Sequence, residues 1–232
     1  MLLGGTLVNV ATVVVGSTIG IILGNRIPDK LTKSVFQVLG LFTLVLGVSM
    51  ALEGQMLLVI VFSLILGTVM GELLDLDKAI DGLSTSLKKR LKLKNPKFTE
   101  GILTAFLLYC IGSMTILGAI DEGMGNGSEI LLTKAMMDGF SAIALASVFG
   151  LGVTMSVVPL FIFQGGITLL AYYLGDFIAK EIITELTAVG GILLVGLGIN
   201  ILEIKQIRIM NMLPSLMLVI LFAWIRLTFF PN

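Results

Sequence analysis

GGTLVNVATVVVGSTIGIILG, residues 4–24, holds no charged side chain. About 20 mainly apolar residues are enough to cross the hydrocarbon of a bilayer as a helix. A spanning segment must satisfy its own backbone hydrogen bonds, as a helix does. The stretch therefore reads as a membrane-crossing helix. Residues 1–3 carry no basic group, and the apolar run continues past Ile22, longer than the core of a cleaved signal peptide, so it is expected to be retained. Working outward, comparable stretches lie at about 35–52, 56–73, 100–119, 133–152, 154–174, 186–202 and 212–230. Together they predict an all-α, polytopic transmembrane helix bundle of about eight spans, a single integral membrane domain over residues 1–232. Two spans meet near Gly150 and Gly152 with almost no loop between them.

Composition agrees. The chain is 56% hydrophobic and 13% charged over 232 residues, with a mean hydropathy of +1.07. Soluble domains carry roughly 25% charged residues, so most of this surface must meet lipid. With 15 basic and 15 acidic residues the net charge is zero, which argues against a nucleic-acid partner. The single Cys110 forms no intrachain disulfide, and the absence of histidine removes the commonest metal ligand and neutral-pH proton carrier. There is no GxSxG elbow, HExxH helix, P-loop or dinucleotide-binding GxGxxG, so neither an enzyme nor a cofactor is expected.

Charge sets the orientation. Arg26, Lys30, Lys33, Lys78, Lys88, Lys89, Arg90, Lys92, Lys94, Lys97, Lys205 and Arg208, twelve of the 15 basic residues, fall on one side of an eight-span topology. By the positive-inside rule these loops are cytoplasmic and both termini lie outside, as in a protein of the inner (cytoplasmic) membrane. Within them Ile80, Leu83, Leu87 and Leu91 recur at helical spacing among lysines, and Asp77–Lys94 is expected to be an amphipathic helix on the anionic inner leaflet.

A shift of 151 residues lays Val38, Gly40, Leu46 and Gly47 on Val189, Gly191, Leu197 and Gly198. It carries spans 1–3 onto spans 6–8 with opposite direction, the pattern of an inverted repeat, common in secondary transporters. Gly16, Gly20 and Gly24 share one face of span 1, and Gly67 and Gly71 one face of span 3, which predicts close helix packing within the chain or in a homo-oligomer.

Polar residues at membrane depth carry the chemistry, because each costs free energy unless paired or wet. Lys134 and Asp138, four apart, share a helix face in the outer half of span 5. Asp138 lies a turn deeper and is the best candidate for a cation- or proton-coupled group, although an interfacial pair with a snorkelling lysine fits the same spacing. Gln164 opens Gln164-Gly165-Gly166, five residues after Pro159, where a loosened helix would free carbonyls for an ion or substrate. Asn9, Ser113 and Asn200 are further isolated polar groups, each also suited to a simple interhelical hydrogen bond. Asp121 and Glu122 sit in the Gly-rich segment Gly118–Ser128, which reads as a solvated outer loop.

The run Cys110-Ile-Gly112-Ser-Met-Thr-Ile-Leu-Gly118-Ala-Ile-Asp121, then Lys134-Ala-Met-Met-Asp138-Gly139, then Gln164-Gly165-Gly166-Ile-Thr168, forms a spaced set. With Gly5-Thr-Leu-Val-Asn9, Gly198-Ile-Asn200 and Leu213-Pro214 it resembles the YqgA/YdfK-like family of bacterial membrane proteins, a domain of unknown function. The resemblance implies a membrane protein with a loose expectation of transport, and it groups Asn9, Lys134, Asp138, Gln164 and Asn200 in one constellation. The resulting expectation is a transporter of a small solute or ion, with a site near mid-membrane. A channel would show a continuous polar stripe. A non-transporting scaffold would act through Asp77–Lys94.

Overall fold

The computed structural model describes residues 2–24, 29–76, 78, 97–111, 113–174 and 179–229, and among them helix dominates and no strand occurs. The helices are α1 (Gly4–Gly24), α2 (Asp29–Ala51), α3 (Leu57–Leu73), α4 (Phe98–Cys110), α5 (Ser113–Gly123) and α6 (Glu129–Phe149). Then follow α7 (Leu151–Met155), α8 (Val157–Leu174), α9 (Lys180–Ile201), α10 (Ile209–Met212) and α11 (Ser215–Phe229). Apart from Lys78, the expected amphipathic segment Asp77–Lys94 lies outside the described residues.

Among the described residues, five helical stretches are long and apolar enough to cross a membrane: α1, α6, α7 with α8, α9, and α10 with α11. A sixth arises if α4 and α5 count as one span bent by 60°. The expected spans near 35–52 and 56–73 are shorter apolar helices, Gln37–Ala51 and Leu57–Leu73. The expected span at 100–119 is therefore not a straight helix, because Ile111 turns extended (φ −96°, ψ 102°) and ends α4. At the expected junction, Gly150 has φ +63°, a conformation that favours glycine, and it separates α6 from α7.

The outward surfaces are apolar. Val45 is 70% exposed, Ile162 67% and Phe140 71%. Soluble monomers do not sustain continuous apolar faces of this kind, so lipid is the medium these faces meet.

The chain divides into two compact units, Met1–Gln37 with Asn95–Phe177, and Val38–Lys94 with Ile178–Asn232. In the first, α1 runs parallel to α6. A Cβ placed on Gly16, Gly20 or Gly24 would strike the backbone carbonyl oxygen of Gly139, Ile143 or Ser147, so only glycine permits this approach. The Thr12 hydroxyl donates to the Ala135 carbonyl (2.8 Å) along the same seam. Helix α8 crosses α1 in the opposite direction: Thr154, in α7 just ahead of it, bonds Ser17 (2.9 Å), and Gln164 bonds Asn9 (3.0 Å).

In the second unit α9 is the central helix, with 78% of its apolar window buried. Gly191 and Gly198 of α9 abut Gly47 and Leu44 of α2, antiparallel. Gly67 and Gly71 of α3 abut Ser215 and Asn211, at the break where Leu213-Pro214 separates α10 from α11. The Glu185 carboxylate, 1% exposed, accepts the backbone N–H groups of Gln55 (2.8 Å) and Met56 (2.9 Å) and so caps the start of α3.

Candidate functional site: a buried ion pair and its amide network

The first four N–H groups and last four C=O groups of a helix lack intrahelical partners. Two such ends organise the first unit. At the C-terminal end of α4, the Lys134 ammonium lies 3.5 Å from the carbonyl oxygens of both Leu108 and Tyr109, and 5.7 Å from the centre of the Tyr109 ring. A cation is favourable at the negative end of a helix dipole and over an aromatic face. The Thr115 hydroxyl of α5 also donates to the Tyr109 carbonyl (2.8 Å). The break between α4 and α5 thus supplies freed carbonyls at depth.

Lys134 pairs with Asp138 one turn along α6, Nζ to Oδ1 at 2.5 Å, and both residues are buried. Asp138 Oδ2 accepts from Asn9 Nδ2 (3.1 Å), and the same amide donates to Gln164 Oε1 (3.0 Å). Gln164 Nε2 donates to the Thr6 hydroxyl (3.2 Å). Asn9 and Gln164 are both fully buried, and Asn9 Oδ1 has no hydrogen-bond partner. A buried ion pair with neutral amides avoids the cost of an isolated charge, which is several kcal/mol per ion, yet this one leaves an acceptor unused.

At the N-terminal end of α1 the first donors need an acceptor, and Leu3, Gly4 and Gly5 offer no capping side chain. Glu122 of α5 provides it. Its Oε1 accepts from the Gly5 N–H (2.5 Å) and the Ser128 hydroxyl (2.8 Å), and its Oε2 from the Thr6 hydroxyl (3.5 Å). Glu122 also borders a cavity of about 590 Å³ lined by Leu2, Gly125, Ser128, Ala171 and Tyr172 among others. Hydrogen bonds therefore run without interruption from this carboxylate through Thr6, Gln164 and Asn9 to Asp138 and Lys134.

Lys134, Asp138, Asn9 and Gln164, which the family resemblance groups with Asn200, come together in this unit. Two expectations, the break at Gly165-Gly166 and the solvated Glu122, need correction. Gly165 and Gly166 do not break the helix: α8 runs through both, and Pro159 sits in its first turn, where a missing N–H is tolerated. Gly165 lets Leu3 and Thr6 of the α1 end approach, while a Cβ on Gly166 would meet nothing. Asn200 belongs to the second unit, where Nδ2 donates to the Ile207 carbonyl (2.8 Å) and Oδ1 accepts the Ile207 N–H (2.7 Å). Both ends of its amide are thereby used in bracing a loop. Glu122 is helical and buried rather than part of a solvated loop, whereas Asp121 beside it is half-exposed. Ser113 is the first residue of α5, and its side chain lies outside the described residues.

Sequence reasoning missed Glu122, Thr6 and the α4 carbonyls. The available signal was a helix opening on Gly4-Gly5 without a side-chain cap, which requires an acceptor from elsewhere. Among the described residues no three His, Cys, Asp or Glu groups are placed to hold a metal ion.

Apolar outer faces, close glycine crossings and a buried charged pair beside a broken helix define a helical membrane protein with a polar centre. The chain belongs to the family described as Protein of unknown function (DUF554), whose model matches residues 4–224. It is 34% identical over 218 residues to "Uncharacterized membrane protein YdfK" of Bacillus subtilis (strain 168), covering 92% of this chain and 93% of the relative. It is 29% identical over 222 residues to "Uncharacterized protein YqgA" of Escherichia coli (strain K12), again covering 92% and 93%. No solved structure matches it.

Proposed function

We propose that the protein is a secondary transporter of a small solute or ion, with its binding site at the Lys134–Asp138 pair. The observation that carries this reading is a fully buried network with a spare acceptor, Asn9 Oδ1, set against the freed carbonyls of a broken helix. Discontinuous helices whose ends face a buried polar centre are a recurring way to build such sites.

The packing supports eight alternating crossings built as an inverted repeat. Counting α4 with α5, α7 with α8 and α10 with α11 as single spans gives eight in chain order. Alternation makes spans 1 and 5 parallel, and spans 1 and 6, 2 and 7, and 3 and 8 antiparallel. The pairs α1 with α6, α1 with α8, α2 with α9 and α3 with α11 run in those directions. The last three pairs are the mates that the 151-residue shift assigns. Gly40, Gly47, Gly191 and Gly198, identical under that shift, all face the contact between α2 and α9. The charge distribution supports the inner membrane, with basic loops cytoplasmic and both termini outside.

A thermal-shift screen of detergent-purified protein tests the function. It sets alkali cations, protons, small anions, amino acids and organic acids against wild type and Asp138→Asn. A ligand at 100 times its dissociation constant stabilises by about 2.7 kcal/mol. The reading predicts a rise in melting temperature that Asp138→Asn loses. Its opposite, no response to any solute, favours the scaffold.

A further inference from the structure

We infer that the cavity beside Glu122 is a second binding site, one that takes a small organic cation: a primary ammonium on a short apolar body. The site lies at the far end of the hydrogen-bonded line from the Lys134–Asp138 centre and does not depend on the transport reading. A carboxylate that accepts the N–H groups of a helix start is by itself only a cap. What goes further here is the cavity that Glu122 lines. Its volume of about 590 Å³ is far more than one bare metal ion fills. It falls within the range of small-molecule sites, about 300–1,000 Å³.

Charge decides the sign of the ligand. Glu122 is 5% exposed, and among the described residues every donor that reaches it is neutral: the Gly5 N–H and the Ser128 and Thr6 hydroxyls. The segments whose residues line the cavity are 2–24, α5, 124–128 and α8, and none of them contains a lysine or an arginine. The basic residue of α6, Lys134, is paired with Asp138. A buried charge is costly unless it is paired, and an ammonium supplies the missing partner. Asp121, half-exposed, and Glu129, exposed, flank the same segment. Their field draws cations and repels anions, so carboxylate-bearing solutes, amino acids included, are poor ligands here.

The walls suit both ends of such a ligand. Glu122 Oε1 takes two of the three donors, at 2.5 and 2.8 Å, while Oε2 has only the Thr6 hydroxyl, 3.5 Å away. Oε2 is the oxygen with room for a charge-assisted hydrogen bond from an ammonium. Tyr172, 56% exposed, lines the same cavity, and a cation gains from an aromatic face. Leu2, Met124 and Ala171 give apolar wall for a short hydrocarbon body. Gly125 and Gly127, with φ +79° and +124°, hold conformations that favour glycine, and a Cβ on either would meet nothing. The loop wall is thus bare backbone beside open space.

The test is a titration of the detergent-purified protein with n-butylammonium chloride, followed by melting temperature, with n-butanol and sodium butanoate as controls. The wild type should melt higher with n-butylammonium and no higher with either control. Glu122→Gln keeps an acceptor for the Gly5 N–H but removes the charge, and it should weaken n-butylammonium binding about tenfold or more. Tyr172→Leu should weaken it about two- to fivefold. Glu72→Gln, which removes an exposed carboxylate from the second unit, should leave it unchanged. If Glu122→Gln does not fold, Met124→Cys serves instead, because Met124 lines the cavity and is 43% exposed, whereas Cys110 is buried. The introduced thiol should react faster with a cationic methanethiosulfonate than with an anionic one of similar size, and n-butylammonium should slow both reactions.

A wild type that melts no higher with n-butylammonium overturns the site. So does a rise that n-butanol reproduces or that Glu122→Gln retains in full, or a Met124→Cys thiol that n-butylammonium does not protect. The transport reading is judged separately. Its solute response is lost in Asp138→Asn, whereas ammonium binding is lost in Glu122→Gln, so either can fail while the other stands.

Discussion

Both units carry ion pairs, and the pair at the centre of the first is built differently from Arg208–Glu72 in the second. In the first, Lys134 and Asp138 are buried, 2.5 Å apart, and held by an amide and two helix-end carbonyls. In the second, Arg208 and Glu72 meet at 3.1 Å with side chains 66% and 44% exposed. The polar groups inside the second unit close on nearby backbone: Glu185 on the start of α3, Asn200 on Ile207. Those in the first link side chains of different helices; a buried acceptor is left unused in each unit, Asn9 Oδ1 in the first and Glu185 Oε2 in the second. Both units use close glycine crossings and a buried carboxylate on a helix start, so these features alone do not mark a site. What sets the first unit apart is a buried pair of opposite charges joined to neutral amides.

The largest effect should come from Asp138→Ala, which strands the Lys134 charge and should cost about 3–5 kcal/mol. Melting of the purified variant checks it. The charge-free double variant Lys134→Met/Asp138→Leu should recover most of that loss, since replacing a whole buried pair by apolar groups is often neutral or stabilising. Next, Gly20→Val forces the Ile143 backbone away from α1 and should cost about 1–3 kcal/mol, whereas Gly166→Ala, with open space for its Cβ, should gain about 0.5–1 kcal/mol. Similar stabilities of these two variants would contradict the α1–α6 packing.

The two asparagines sharpen the contrast. Asn9→Ala leaves buried partners unsatisfied, at about 1–3 kcal/mol, and Asn200→Ala a half-buried one, at the low end of that range, but only Asn9→Ala should alter a solute-induced melting shift. The smallest effect belongs to Glu72→Gln, below about 1 kcal/mol, because an exposed pair contributes little. A larger loss there would erase the distinction between the two ion pairs.

Much of the first unit was legible in the sequence because lipid penalises polarity: a lysine and an aspartate four apart, or a lone glutamine in an apolar run, stand out. The spacing that brought Lys134 onto Asp138 is local, whereas only the family resemblance grouped Asn9 and Gln164 with them. The break after Cys110 was not legible. The carbonyls it frees are engaged by Lys134 on α6 and Thr115 on α5, a tertiary arrangement no local pattern announces. Gly165-Gly166 misled for the opposite reason. A glycine pair permits a break, but here Gly165 makes room for the end of α1 and the helix continues. Glu122 was hidden by its neighbour Asp121 and a Gly-rich stretch, and its burial follows from a helix start more than 100 residues away in the chain.

The most direct measurement is the solute response of the charge-free double variant Lys134→Met/Asp138→Leu beside wild type, in the same thermal-shift panel. The account predicts that the variant folds and melts near the wild-type temperature but loses the shift that the wild type shows. A double variant that keeps the shift would mean that solute binds elsewhere and that the buried pair is structural.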